Sequence, residues 1–157
     1  MRILGIDPGY GILGWSVIEK NQRLIDYGII ETTSSLPIED RLFEIHTRLV
    51  EIITLYKPDC AAIEKLFFVK NITTGIDVAK TIGAVILTLK LHNICYYEYT
   101  PSQIKQAITG YGRAGKDQMK FMIKSIFKLN ELPSPDDAAD ALAIAFCHSL
   151  KSNIQEY

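Results

Sequence analysis

The sequence lacks most of the features that mark a specialised class of chain. Its three cysteines, Cys60, Cys95 and Cys147, are odd in number, far apart and never arranged as Cys-x-x-Cys. A disulfide framework and a zinc cluster therefore both lack the residues they need. The histidines, His46, His92 and His148, are equally scattered, with no helical His-x-x-x-His. Core thiols and surface imidazoles are the plain reading of both sets. Glycine and proline together supply only 16 residues and nowhere crowd into a low-complexity stretch, which excludes a collagen-like repeat and a disordered tail. No segment recurs at the ~20–50-residue period of a solenoid. The longest uncharged apolar run, Ile82 to Leu89, is far short of the ~20 residues that cross a bilayer. An acid, Asp7, interrupts any secretory signal at the N-terminus, so a soluble, cytoplasmic protein is expected. An excess of charge is missing too: 17 basic residues face 18 acidic ones, a formal charge of −1.

What the chain does have is core material. With 157 residues, 48% of them hydrophobic, it is the size of one domain spanning 1–157. Arg2–Ile6, Ile12–Glu19 and Leu24–Thr32 read as strands, rich in Ile, Val, Trp and Tyr, with connections short enough for a meander. From Ile38 the apolar residues recur at three and four through Tyr56, an amphipathic helix introduced by Ser34, Ser35 and Pro37 and ended at Lys57-Pro58. Cys60–Ile63 and Cys95–Tyr99 are further strands, separated by a helix over 72–91 with small residues at Gly75, Ala79, Gly83 and Ala84. Thr100-Pro101-Ser102-Gln103 is a capping box with proline in the first helical position. A glycine-rich loop over 110–115 then leads into a basic helix over 117–129, and Ser134-Pro135-Asp136-Asp137 opens a last helix reaching about Leu150. This succession of strands and helices predicts an α/β fold, a mixed five-stranded sheet flanked by helices.

Two glycine patterns look like phosphate loops and are not. Gly9-x-Gly11-x-x-Gly14 matches a dinucleotide fingerprint, but the fingerprint needs a helix to open at the loop, and the residues after Gly14 are strand-like. Gly110-x-x-x-x-Gly115-Lys116 is one residue short of a Walker loop, because Asp117 stands where Ser or Thr should hold magnesium. A flexible hinge bringing Lys116 near a phosphate is the better reading.

Four acids carry more information. Asp7 closes the first strand, Glu64 closes the fourth, and Asp137 and Asp140, three apart, share one face of the last helix. A carboxylate at the end of an apolar strand is costly to leave unpaired, and clustered carboxylates raise one another's pKa. A hard, oxygen-seeking dication such as Mg²⁺ answers both problems. Bland readings exist for single members: Asp7 as a turn former before Pro8, Asp137 as the acidic partner of a capping box. They do not account for all four together. The basic residues are also unevenly spread. Between Lys105 and Lys128 six bases stand against one acid, a local charge of +5, whereas acids outnumber bases seven to five in the first fifty residues.

At these residues the chain resembles the RuvC family of Holliday-junction resolvases. The similarity runs from Ile3-Leu-Gly-Ile-Asp-Pro-Gly9 through Ala62-Ile-Glu64 with Phe67, to Asp137-Ala-Ala-Asp-Ala-Leu-Ala-Ile-Ala145. The resemblance implies an RNase H-like fold and a homodimeric, metal-dependent endonuclease that nicks two opposed strands of a four-way DNA junction in recombination and repair. It implies Asp7, Glu64, Asp137 and Asp140 as catalytic acids holding two Mg²⁺ ions, with Mn²⁺ as a substitute. Phe67 is implied as a base-stacking aromatic, and Lys105 and Lys116 as cations beside the scissile phosphate; Arg113 and Lys120 extend the basic segment toward DNA. The helix over 72–91 is the implied dimer interface, and RuvA and RuvB, the branch-migration complex, are implied partners. Two Mg²⁺ ions added to a formal charge of −1 give +3, which favours a phosphate facing the basic segment. Competing readings are an actin/hexokinase-like phosphotransferase, for which 157 residues leave no second lobe, a YqgF-type nuclease acting on RNA, and a junction-binding module without catalysis.

Phe67 and Phe68 are expected to leave different fingerprints. Neighbours in an extended segment point to opposite sides, so one enters the core and the other meets DNA. Stacking on a base is worth ~1–3 kcal/mol, whereas truncating a buried Phe costs ~3–5 kcal/mol of stability. Phe67→Ala should melt near the wild-type temperature yet cleave four-way junctions poorly, and Phe68→Ala should show mainly lost stability. A large drop in melting temperature for Phe67→Ala with normal specific activity would reverse the assignment.

Overall fold

The computed structural model describes residues 1–66 and 72–151. Five strands, β1 (Arg2–Asp7), β2 (Ile12–Glu19), β3 (Leu24–Glu31), β4 (Cys60–Glu64) and β5 (Cys95–Tyr99), form one sheet in the order β3-β2-β1-β4-β5. The first three strands make an antiparallel meander, and β4 and β5 join it in parallel. The crossover helices are α1 (Ile38–Tyr56) and α2 (Ile72–Leu91), followed by α3 (Pro101–Thr109), α4 (Lys116–Ile126) and α5 (Asp136–Lys151). The mixed five-stranded sheet expected from the sequence is present. Neither glycine pattern is a phosphate loop: Gly9–Gly14 leads into a strand, and Gly110–Gly115 follows a helix.

The two-residue period of the strands sorts their side chains into two cores. On one face Leu4, Ile6, Leu13, Val17, Ala61 and Ile63 pack against α1 and α2. On the other Ile3, Ile18, Cys60, Ala62 and Tyr99 pack against α3, α4 and α5. Helix α5 lies between the sheet and the outer helices, so every residue from 141 to 149 is buried. Its fit to the sheet is very close. A Cβ on Gly5 would stand 2.2 Å from the Ala141 carbonyl oxygen, and one on Gly14 would stand 1.9 Å from that of Asp137. Between them the buried Ser16 hydroxyl donates to the Ala141 carbonyl at 2.8 Å. Glycine and serine on the strands, against alanine on the helix, are what allow this approach.

Several local expectations are corrected. Neither Ser34 nor Ser35 caps α1, whose N-cap is Pro37 without a side-chain bond. The basic helix starts at Lys116 and stops at Ile126 rather than Leu129, because Lys128 takes a left-handed conformation with φ of 52°. The capping box does form: Thr100 Oγ1 accepts from the Gln103 amide, and Gln103 Oε1 from the Thr100 amide. His148 is not a surface imidazole. It is 5% exposed, shares short contacts with the Tyr99 hydroxyl (2.7 Å) and Cys60 Sγ (3.4 Å), and stacks on Tyr97. Burial lowers its pKa. Cys60 and Cys147 are core thiols as expected, but Cys95 is exposed. Helix α2 is long and apolar enough by composition to cross a membrane, yet Thr81, Val85, Thr88 and Leu89 are buried and it packs on α1.

The close seam makes a stability prediction. Gly14→Ala forces its methyl group into the Asp137 carbonyl and should cost ~1–3 kcal/mol or more, the usual range for overpacking. Gly83→Ala, where an added Cβ meets nothing within 4 Å, should be neutral or stabilise by ~0.5–1 kcal/mol through helix propensity. Urea unfolding of the two variants at one protein concentration measures the contrast.

Candidate active site

The parity of the strands decides where the four acids point. Ile3, Gly5 and Asp7 alternate with Leu4 and Ile6, and Cys60, Ala62 and Glu64 alternate with Ala61 and Ile63. Asp7 and Glu64 therefore share the α5 side of the sheet. Parallel pairing of Ile6 with Ile63 places both acids at the same strand end. Glu64 is held in turn by β5, since the Lys65 amide donates to the Tyr99 carbonyl. Helix α5 begins over this end, and Asp7 pairs with Gly14, the residue whose missing side chain lets Asp137 sit directly above. The structure thus brings Asp7, Glu64, Asp137 and Asp140 to one place.

Their electrostatics reflect the gathering. The Asp7 carboxyl is pushed up to about 8, first by burial and then by Glu64, Asp140 and Asp137. Burial and the Asp140 charge raise Glu64, with Lys105 opposing. Asp140 keeps a solvent-accessible edge, but desolvation by surrounding protein, then Asp136 and Asp137, raises it against the pull of Lys116 and Lys120. Among the described residues no three acidic, histidine or cysteine side chains stand at ligand spacing as they are. The donor set nevertheless fits a hard dication. It is all oxygen, and its central member is a half-buried carboxylate whose charge its neighbours oppose and no adjacent base neutralises.

Beside the acids a cleft of about 260 Å³ opens between α3, α4 and α5. Its floor is apolar, with Ile104, Met119 and Ile144, and its rim carries Lys105, Lys116 and Lys120 opposite Glu64 and Asp140. Lys120 reaches across to Asp136 at 3.0 Å and ties α4 to the start of α5. Of the basic residues singled out in the sequence, these three meet at the site. Arg113 does not: it is exposed in the loop before α4 and outside the cleft lining. Phe67 lies outside the described residues. Sequence reasoning missed the Lys120–Asp136 tie, which joins residues with no shared motif. It also missed Arg41, a buried arginine on α1; its one signal was a charged residue among the apolar positions of an amphipathic helix.

Comparison with known proteins agrees with this arrangement. The family model for "Crossover junction endodeoxyribonuclease RuvC" matches residues 3–148. The protein of that name from Caldicellulosiruptor saccharolyticus is 52% identical over 157 residues, covering 98% of this chain and 95% of the relative. The solved structure of Thermus thermophilus RuvC superimposes with a TM-score of 0.90 at 32% identity, covering 98% and 96% of the two chains. The same protein in complex with Holliday junction substrate gives 0.92 at 33% identity, with the same coverage. With four acids at one sheet end, a lysine-rimmed cleft beside them and a match that spans nearly every element, the chain belongs to the RuvC family of crossover junction endodeoxyribonucleases.

Proposed function

We propose that this protein is a structure-selective endonuclease that resolves four-way DNA junctions by paired, symmetric nicks, acting in the cytoplasm during recombination and repair. The observation that carries this reading is the convergence of Asp7, Glu64, Asp137 and Asp140 beside the cleft rimmed by Lys105, Lys116 and Lys120. Asp7, Glu64, Asp137 and Asp140 would hold two Mg²⁺ or Mn²⁺ ions, with Asp7 standing among the other three. Such ions supply an activated water and a counter-charge for the departing 3′-oxygen. The protein's own part is placement. Lys105 and Lys116 hold the non-bridging oxygens of the scissile phosphate, and the Lys120–Asp136 pair keeps α4 from swinging away. Attack by water with loss of the 3′-oxygen leaves 5′-phosphate and 3′-hydroxyl ends, which a ligase can seal.

A four-way junction has two-fold symmetry, and paired nicks need two active sites related by that operator. Helix α2 supports a homodimer. Ile72, Ile76, Leu87 and Leu91 are 77%, 51%, 60% and 63% exposed, an apolar face of the kind that marks an interface. Membership of the family supports contact with RuvA and RuvB. A phosphotransferase of the actin/hexokinase kind is not favoured, since the family model that matches residues 3–148 is that of a crossover junction endodeoxyribonuclease. A YqgF-type nuclease acting on RNA is not favoured either, given the match to the RuvC pattern through Glu64. Incubation with a synthetic four-way junction and with linear duplex, with and without Mg²⁺, tests the reading: cleavage of the junction alone, and only with the metal, is expected.

Asp7→Asn should abolish cleavage while leaving junction binding largely intact, because it removes a ligand and no cation. It should also change stability in chelator. An unfolded chain ionises Asp7 near 3.8 and the folded one near about 8. Between those values the unfolded state binds fewer protons, so stability falls as pH rises. Wild type in EDTA should therefore melt lower at pH 8 than at pH 5, and Asp7→Asn should lose most of that slope. Undiminished cleavage by Asp7→Asn would sink the assignment.

Lys116→Ala should slow cleavage and make junction binding less salt-dependent, since each phosphate contact contributes roughly 0.9 to the slope on duplex arms. An unchanged rate and slope would return Lys116 to an ordinary solvated face.

A further inference from the structure

Arg41 is a buried charged side chain that the proposed chemistry leaves unused, and its surroundings are unusual. It is 2% exposed. Its Nε donates to Thr32 Oγ1 at 2.9 Å, one Nη donates to the Tyr10 carbonyl at 3.2 Å, and its guanidinium lies 3.8 Å above the Tyr10 ring. These contacts orient the fork but do not neutralise it. The ion pairs among the described residues, Arg23–Glu19, Arg48–Glu51, Lys80–Asp77 and Lys120–Asp136, do not include Arg41. A buried cation without an anion is costly to maintain unless an anion arrives from outside.

The fold leaves an opening for one. Arg41 lines a shallow recess of about 590 Å³ with Gly11, Glu31, Thr32, Thr33 and Ser34. At Gly11 a Cβ would stand 3.6 Å from the Arg41 Nη, so glycine keeps a side chain off this edge of the guanidinium. The recess sits at the active-site end of the sheet. Gly11 follows Asp7 by four residues, and Thr32 follows the last residue of β3. With the strand order β3-β2-β1-β4-β5, the lysine cleft lies on the β4–β5 side of Asp7 and the Arg41 recess on the β2–β3 side.

We propose that the Arg41 recess is a second phosphate seat, which takes a backbone phosphate of the DNA strand on the side of Asp7 opposite the lysine cleft. The inference rests on the junction-cleaving function proposed above. A strand crossing the sheet end would be gripped on both flanks, so that its scissile bond is stretched across the acids. Arginine suits this place better than lysine, because its planar fork keeps donors for phosphate after others have bonded the loop. Glu31 lines the same recess without pairing with Arg41, and its charge opposes an incoming phosphate.

The test uses the full-length protein in EDTA and a four-way junction carrying one neutral methylphosphonate at a time along the strand to be cut. Wild-type binding should weaken at a position not silenced by Lys116→Ala. Arg41→Gln should bind about tenfold more weakly, with a salt slope lower by ~0.9, and should be indifferent to the methylphosphonate at that position. Glu31→Gln, an exposed change that leaves folding alone, should move affinity the other way and keep the position sensitive. If Arg41→Gln fails to fold, Glu31→Gln decides: tighter binding that the methylphosphonate at that position removes supports the seat. Binding by Glu31→Gln equal to wild type, with no position silenced by a folded Arg41→Gln, overturns it. Failure of the wild type to bind or cleave four-way junctions overturns the proposed function instead, and is read separately.

Discussion

Carboxylates repel one another, and a fold that gathers four of them at one sheet end must hold them there. That constraint accounts for much of the rest. Two acids come from parallel neighbours whose backbones cannot slip without breaking their ladder. The other two come from a helix pressed so tightly on the sheet that Gly5 and Gly14 have no room for a methyl group. Fixing the donors on regular elements makes the repulsion part of the folded state, and burial amplifies it until Asp7 resists ionising. Folding energy from the two cores holds the acids in place against that repulsion.

The lysines belong to the same balance. Lys105 opposes the shift of Glu64, and Lys116 and Lys120 that of Asp140. They stand on α3 and α4, which close over the outer side of α5 and form the second wall of the cleft. The cations thus line a cavity with acids on one side and bases on the other. The near-zero net charge, which says nothing of nucleic acid by itself, conceals this separation.

Most of this was legible in the sequence because it is periodic or local. Short apolar runs at Arg2–Ile6 and Cys60–Ile63 marked the strands and the acids that close them, while the face those acids occupy came from the packing. The three-residue spacing of Asp137 and Asp140 gave their shared side, and Thr100-Pro101 marked a helix start that formed as expected. What stayed hidden depends on contacts between distant residues. His148 has no local mark of burial; it is buried because β4, β5 and α5 converge on it, with Tyr99 and Cys60 supplying polar partners. Arg113 and Lys116 look alike in the sequence, yet the first is exposed in a loop and the second opens α4 at the site. The end of the basic helix was missed because a left-handed Lys128, not a glycine, turns the chain. Arg41 reads as a charge on an amphipathic helix until Thr32 and Tyr10 are seen folded around it.

The seam beneath α5 has a further consequence. Since Gly14 touches the backbone of Asp137 itself, the acid on β1 and the first acid of the helix are spaced by main-chain contact, without a side chain between them. Such a spacer has no adjustable part. Any residue larger than glycine at position 14 obliges the helix to ride up. The gap between the two backbones that carry these acids is therefore inherited as a fixed length.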